Sequence, residues 1–86
     1  MTLSFKYKTK VYTSKEFDWK AMCLVNEGHN DESKKGVFSM CDAAVNYLFE
    51  DTDGAAVLDS IPLGARGKLC SDAWEIYIKE ITAKND

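Results

Sequence analysis

The sequence predicts a small α+β fold that is mostly helical, with an N-terminal β-hairpin or strand arm followed by three to four helices. Apolar residues recur at helical spacing from Val37 to Leu48, which predicts a helix with one long buried face. Near the N-terminus, apolar and polar residues alternate with the period of two that is typical of a half-buried strand. A chain of 86 residues has room for one domain. We therefore expect a β arm at 1–13, a helical body at 14–83 packed around the central helix, and a frayed tail at 84–86.

The arm can be one long strand or two short ones. Its odd-numbered residues, from Leu3 through Val11 to Thr13, fall on one face of a single strand. Eleven residues is long for one strand, so a hairpin that turns near Lys8 and Thr9 is the natural alternative. Neither turn residue favours the positive φ angle that tight hairpin turns need, so the sequence leaves both arrangements open.

The first helix is expected to follow the arm after a short link. Ser14 or Asp18 can cap it, and we expect it to end near Asn26 because Gly28 is a common helix stop. Residues 27–36 are polar and bracketed by glycines, which predicts a surface loop.

The central helix and two later helices complete the predicted body. Asp42 and Asn46 fall on the face of the central helix opposite its apolar stripe, so we expect that face to be in water. A short helix is expected over residues 55–60, and a last helix should start near Pro62 and become regular after Gly67. The stripe of the central helix is Val37, Met40, Cys41, Ala44, Val45 and Leu48. The stripe of the last helix is Cys70, Ala73, Trp74, Tyr77 and Ile81, widened by Leu69, Ile76 and Ile78.

The charge of the chain is unevenly distributed. Residues 1–20 carry five lysines against two acids, a net charge of +3, whereas residues 21–60 carry eight acids against two lysines, a net charge of −6. A modestly basic arm on an acidic body lacks the continuous basic face that nucleic-acid binding usually needs. The sequence also shows no apolar run of the length of a signal peptide or a membrane span. We therefore expect no nucleic-acid partner, no membrane partner and a cytoplasmic location.

The residues that could carry catalysis or bind a metal do not have the necessary spacing. Structural zinc sites usually bring their ligands as close pairs, whereas Cys23, Cys41 and Cys70 are far apart and the single histidine, His29, lies in the polar loop. A catalytic thiolate needs an exposed, electropositive pocket, but each cysteine lies among apolar residues. We expect reduced core cysteines, no metal, no cofactor and no enzymatic activity.

The arm is also the expected site of self-association. A lone two-stranded hairpin is marginally stable unless it packs on helices, and an open strand edge is a template for another chain. Phe5 and Tyr7 therefore either dock on the helices or lie in a contact between copies. We expect a homodimer or a larger ring in solution.

Aromatic and acidic residues are the candidates for a partner surface. Tyrosine and tryptophan are favoured at protein interfaces, and Trp19 is the best candidate to be left exposed. An acidic run after the central helix can face a basic partner. The predicted partner-binding residues are Phe5, Tyr7, Trp19, Glu50, Asp51, Asp53 and Trp74.

The segment FDWKAMCLVNE, which starts at Phe17 and ends at Glu27, resembles small tail assembly chaperones of long-tailed bacteriophages. In that family an arm that ends in an F-D-aromatic step commonly runs into a helix of the A-M-C-x-L-x-E-E kind. The resemblance covers residues 5–27, and Lys8-Thr9 stands where the family usually has a glycine-containing turn. It implies a non-enzymatic protein of the bacterial host cytoplasm that self-associates and coats the tape-measure protein while the tail tube polymerises.

A second function competes with this one. A small phage-encoded inhibitor of a host defence protein, similar in action to anti-CRISPR proteins, would also be compact and would act by surface contact. An acidic middle fits this role because an acidic patch can occupy a basic nucleic-acid groove. A neighbouring tail gene would favour the chaperone, whereas a stoichiometric complex with a defence effector would favour the inhibitor.

Overall fold

The computed structural model describes residues 1–84 and confirms a small, mostly helical α+β fold with an N-terminal hairpin. Two 3-10 turns, Asp53–Ala56 and Leu58–Ser60, connect the second helix to the third. Within this described part of the chain, no helix combines the length and the apolar character that crossing a membrane requires. The strands and α-helices in chain order are β1 (Ser4–Tyr7), β2 (Lys10–Thr13), α1 (Trp19–Asn30), α2 (Gly36–Phe49) and α3 (Leu63–Lys84).

The arm is the hairpin rather than one long strand. Phe5 pairs with Tyr12 in the antiparallel register, so the loop consists of Lys8 and Thr9. Lys8 has a φ of 58°, a left-handed conformation that costs a residue with a Cβ about 1–2 kcal/mol. A two-residue loop places Tyr12, and not Val11, on the same face as Phe5. The single-strand alternative, in which Val11 would lie on the inner face with Phe5, is therefore wrong. Val11 is 59% exposed, whereas the Tyr12 ring stacks on Phe5 with centroids 5.3 Å apart.

The hairpin packs on the helical body and forms part of the core. Leu3 and Phe5 are buried, and the Phe5 ring meets the edge of Phe49 from the end of α2 at 5.1 Å. Ser14 extends the pairing of the hairpin beyond its two strands, because its Oγ accepts a hydrogen bond of 2.8 Å from the Leu3 amide. The Ser14 amide in turn donates to the Leu3 carbonyl at 2.8 Å. Ser14 is therefore a buried connector and does not cap α1.

Helix α1 begins at the predicted cap but ends later than expected. Asp18 is the cap, since its Oδ1 accepts a 3.0 Å hydrogen bond from the Ala21 amide. The end predicted near Asn26 is wrong because α1 continues through Gly28 for about one further turn. A Cβ at Gly28 would lie 2.1 Å from the carbonyl oxygen of Met40, so this glycine lets α1 and α2 approach closely. Gly28 is a packing residue, and the polar loop shrinks to residues 31–35.

Helix α2 lies at the centre of the core, as predicted. It packs against both α1 and α3. Val37 and Met40, at the start of the predicted stripe, are only partly buried. The fully buried residues of α2 are Cys41, Ala44, Val45, Leu48 and Phe49.

The opposite face of α2 is not simply in water. Arg66 from α3 donates from Nη2 to Asp42 Oδ1 at 2.8 Å and to Asn46 Oδ1 at 2.7 Å. The Arg66 side chain is only 14% exposed, so this face is partly covered by a charged contact between helices. The expectation of a solvated face therefore holds for Asn46, which is exposed, but not for Asp42, which is partly buried by Arg66 from 24 positions later in the chain.

Helix α3 starts near Pro62, as predicted, but it is regular earlier than predicted. The short helix expected over 55–60 is replaced by the two 3-10 turns, and α3 is already helical before Gly67. A Cβ at Gly67 would meet the Phe38 ring at 2.8 Å, so this glycine also serves packing. The helix extends through Lys84, and the rest of the tail predicted at 84–86 lies outside the described residues.

The buried stripe of α3 ends before the helix does. Trp74 is half-buried, while Ile78 and Ile81 are 41% and 36% exposed. The last two turns of α3 thus carry apolar side chains that the described chain leaves partly in solvent. The buried residues of α3 are Leu69, Cys70, Ala73, Ile76 and Tyr77.

Candidate functional site

An open apolar groove lies between α1 and α3. The two helices run antiparallel along it, because Asn26 contacts Tyr77 while His29, further along α1, contacts the earlier residue Trp74. The Tyr77 hydroxyl donates to Asn26 Oδ1 at 2.8 Å and closes the floor of the groove. Its volume is about 510 Å³. We call it the Trp19 groove; its lining residues are Trp19, Met22, Cys23, Asn26, Glu27, Tyr77 and Ile81.

Trp19 is the most exposed aromatic side chain of this groove. It is the first residue of α1, immediately after the Asp18 cap, and it is 69% exposed. The prediction that Trp19 would be left exposed is confirmed. Large aromatic residues in desolvated pockets provide much of the binding energy at protein interfaces. A partner that covered this side chain would remove a large apolar surface from water.

A cluster of aromatic rings supports the groove from one side. The Trp74 ring lies 5.5 Å from the Tyr77 ring and 5.2 Å from the His29 ring. Tyr77 is 6% exposed and Trp74 is half-buried. Trp74, predicted as a partner-binding residue, therefore helps to support the groove and presents only part of its surface.

Of the residues that line the groove, only Trp19 was predicted to bind a partner. Met22 and Cys23 follow Trp19 by one helical turn, which places them on the same face of α1. This helical spacing was the sequence signal that could have assigned Met22 and Cys23 to the same surface as Trp19. Tyr77 and Ile81 are assigned to the groove only by the packing of α3 beside α1, which no local pattern indicates.

The two arm residues that were predicted to bind a partner, Phe5 and Tyr7, differ in burial. Phe5 is 7% exposed and lies in the core, so the alternative in which it docks on the helices holds. Tyr7 is partly buried, and the Nζ of Lys8 lies 5.6 Å from its ring centroid. The Phe5 side chain is therefore not presented to a partner by the folded chain.

The predicted acidic residues form a separate surface, which we call the acidic turn, residues 50–59. Glu50 and Asp51 are exposed, and Asp53 is 86% exposed beside Lys10, with 3.7 Å between its Oδ2 and the lysine Nζ. Asp59 is 97% exposed, and its Oδ1 lies 3.6 Å from Nη1 of Arg66. The acidic turn contributes no residue to the lining of the Trp19 groove.

The cysteines are core residues with the exception of Cys23, which is partly exposed in the groove. Burial raises the pKa of the Cys41 thiol to about 12 and also raises the pKa of the Cys70 thiol. Both thiols therefore stay protonated at neutral pH and are poor nucleophiles and metal ligands. Among residues 1–84, no three His, Cys, Asp or Glu side chains are grouped as metal ligands.

The chain was compared with known protein families, curated proteins and solved structures. No family model, curated protein or solved structure matches the chain. The function is therefore inferred from the exposed surfaces and from the residues that carry the resemblance. Four of the predicted partner-binding residues, Trp19, Glu50, Asp51 and Asp53, lie in the Trp19 groove and on the acidic turn.

Proposed function

We propose that this chain is a non-enzymatic bacteriophage protein that acts by protein–protein contact, as a tail assembly chaperone that binds the tape-measure protein in the cytoplasm of the host cell. One observation carries the proposal: five of the seven residues that line the Trp19 groove belong to the chaperone-like segment. Trp19, Met22 and Cys23 lie inside this segment, and all three line the groove.

The shape of the groove favours a helical segment of the partner. Two antiparallel helices form its walls, and an amphipathic helix with apolar residues at positions i, i+3, i+4 and i+7 fits such a groove. Trp19 stands at one end of the wall formed by α1, and Ile81 lies on the facing wall. An apolar face of the partner that would aggregate in water is covered in this complex, which is the action expected of a chaperone for a long assembly protein.

The experiment is to produce the tape-measure protein of the same phage with and without this chain and to measure its soluble fraction and the complex. We expect a soluble complex with the native chain, and a loss of binding of about thirtyfold for Trp19→Ala, as for an interface residue worth about 2 kcal/mol. Binding is measured by titration calorimetry.

A matched pair of variants tests the groove itself. Ile81→Ser changes a lining residue, whereas Ile78→Ser changes an isoleucine of similar exposure on α3 that does not line the groove. We expect only the first to weaken the complex. Equal affinities for the two variants, or a tape-measure protein whose solubility does not change, would contradict the proposal.

The acidic turn favours the second candidate, an inhibitor of a host defence protein. Glu50, Asp51 and Asp53 are exposed together, and such a surface can mimic the phosphates that a basic groove binds. The inhibitor should form a stoichiometric complex with a purified defence effector. Glu50→Lys would then abolish inhibition while Trp19→Ala leaves it intact, which is the opposite of the result expected for the chaperone.

A further inference from the structure

A second groove lies between the outer face of the hairpin and the first half of α3. Phe5 and Leu69 are buried at its floor, and Val11 lines it while remaining 59% exposed. Its volume is about 360 Å³. We call it the hairpin groove. It shares no lining residue with the Trp19 groove.

Two lysines border the hairpin groove. Lys6 comes from β1 and Lys68 from α3, and both line the groove. The Lys68 side chain is 77% exposed and pairs with Asp72 one turn along the helix, with 2.9 Å between Nζ and Oδ2. Exposed pairs of this kind contribute little stability, so the ammonium group can still meet an acid from another molecule. The groove is therefore apolar at its floor and cationic at its border.

The acidic turn carries the complementary charge on the same chain. Four of its ten residues are acidic, and Asp53 and Asp59 are 86% and 97% exposed. The hairpin separates the turn from the groove, because β1 contacts α3 while β2 contacts the first 3-10 turn. The ion pair between Lys10 and Asp53 lies on the β2 side of the hairpin.

We propose that the acidic turn of one copy docks in the hairpin groove of a second copy, so that copies of this chain associate head to tail. A two-fold contact of groove with groove would bring lysines against lysines, and a contact of turn with turn would bring acids against acids, both of which are unfavourable. Of these three contacts, only that of turn with groove pairs opposite charges. Repeated head-to-tail contacts form a ring if they close and a filament if they do not.

The association deepens the self-association that belongs to the proposed chaperone function, but it uses a different surface from the tape-measure contact. It also changes the role expected for the arm. The outer residues Lys6 and Val11 face the second copy, whereas Phe5 remains in the core.

The test is a charge exchange between two variants of the full chain, studied by light scattering coupled to size exclusion. The groove variant carries Lys6→Glu and Lys68→Glu, and the turn variant carries Glu50→Lys, Asp53→Lys and Asp59→Lys, which makes the net charge of the turn positive. We expect the native chain to associate at about 100 µM. Each variant alone should be monomeric, because its groove and its turn then carry the same charge. An equimolar mixture should associate again, because each groove then meets a turn of opposite charge.

Two further measurements complete the test. A control variant carries Lys34→Glu and Lys35→Glu on the exposed loop at 31–35, so its net charge changes by the same amount as that of the groove variant. It should keep the native state of association. Raising the salt concentration from about 50 mM to about 500 mM should weaken the native association about tenfold, since exposed charges are screened. Near-ultraviolet circular dichroism shows that each variant is folded.

Three results would overturn the proposal: a monomeric native chain, a turn variant that still associates, or two folded variants whose mixture stays monomeric. The tape-measure contact is measured separately on the groove variant, whose Trp19 groove is unchanged. Loss of self-association with retained tape-measure binding would therefore leave the proposed function standing. Loss of tape-measure binding with retained self-association would overturn only the function.

Discussion

Gly28 sets the distance between α1 and α2. Its missing side chain leaves room for the Met40 backbone, which lies where a Cβ would be. Backbone atoms cannot rotate away as a flexible side chain can, so any larger residue forces the two helices apart. A glycine inside a helix usually lowers stability, and here close packing offsets that loss.

We expect Gly28→Ala to lower the free energy of unfolding by about 3 kcal/mol, at the upper end of the range for overpacked positions. The matched control is Gly64→Ala in α3, where a Cβ would meet no atom within 4 Å. That change should instead raise stability by about 0.5–1 kcal/mol. Urea unfolding followed by circular dichroism measures both values. A Gly28→Ala chain as stable as the native one would show that α1 and α2 are not in this close contact.

At the scale of elements, Asp18 holds α1 to α2. One carboxylate oxygen caps α1 through the Ala21 amide, and the other accepts a hydrogen bond from the Tyr47 hydroxyl of α2. The Tyr47 hydrogen bond and, after it, the Ala21 amide lower the pKa of Asp18, while the hydrogen bond to Asp18 raises the pKa of Tyr47. The Nζ atoms of Lys15 and Lys20 lie 4.4 and 4.8 Å from the Tyr47 ring centroid.

These shifts predict that stability falls at both ends of the pH range. The folded pKa of Asp18 is below its ordinary value near 4, so its contribution is present above about pH 4 and is lost as the pH falls through the folded value. The folded pKa of Tyr47 is above its ordinary value near 10, so its contribution is present below about pH 10 and is lost as the pH rises.

The measurement is the free energy of unfolding in urea between about pH 2 and pH 11. Asp18→Asn should flatten the acid limb, and Tyr47→Phe should flatten the alkaline limb and reduce the acid one. The pKa of Asp31 is also lowered, by Ser33, and Asp31 is intact in both variants, so the difference from the native chain isolates the Asp18 contact. Unchanged slopes in both variants would contradict this assignment.

A second contact between helices is made by Arg66. It joins α3 to α2 through Asp42 and Asn46, with the guanidinium group largely buried. A buried cation that loses its partner is costly, whereas replacing both members of a pair by apolar residues is often neutral. Asp42 is therefore a structural residue, although it belongs to the polar face of its helix.

We expect Asp42→Ala to lower the free energy of unfolding by about 1.5–3 kcal/mol, the usual range for a hydrogen bond to a charged group. Asp59, 3.6 Å from the same guanidinium group, limits the loss. The double variant with Arg66→Met should recover part of it, because the cation is then absent. A double-mutant cycle in urea checks this. Purely additive effects would mean that the two side chains do not interact in solution.

At the scale of the whole molecule, the hairpin completes the core. Leu3 and Phe5 are buried in the core, where Phe5 contacts Phe49 at the end of α2, and burial of each such side chain stabilises a protein by about 1.5–3 kcal/mol. Small domains have little stability to spare, on the order of 5 kcal/mol. The hairpin is thus part of the folding unit and not a separable arm.

A chain shortened to begin at Ser14 should therefore fail to fold, as judged by the loss of its near-ultraviolet circular dichroism and of a cooperative urea transition. Point variants make the same test more gently. Phe5→Ala should cost about 3–5 kcal/mol, whereas Val11→Ala, on the exposed face of the same hairpin, should cost less than about 0.5 kcal/mol. A shortened chain with a native spectrum would show that the helices form a core without the hairpin.

The sequence by itself determined the features that depend on neighbours in the chain. The helical period of α2 was predictable, and so was a cap at Ser14 or Asp18, because spacing and capping act within a few residues. The hairpin with a turn at Lys8 and Thr9 was one of two alternatives that the sequence left open. The exposure of Trp19 was also predicted, from the preference of tryptophan for protein interfaces.

Only the tertiary structure decided the features that join distant parts of the chain. Gly28 was predicted as a helix stop because a local pattern cannot show that the Met40 backbone occupies the space of its missing side chain. Asp42 was predicted to lie in water because a local pattern cannot show that the packing of α3 on α2 brings Arg66 to it. Both grooves likewise combine residues far apart in sequence. The physical reason is the same in each case: close packing and charge pairing depend on distances in space, which local periodicity does not encode.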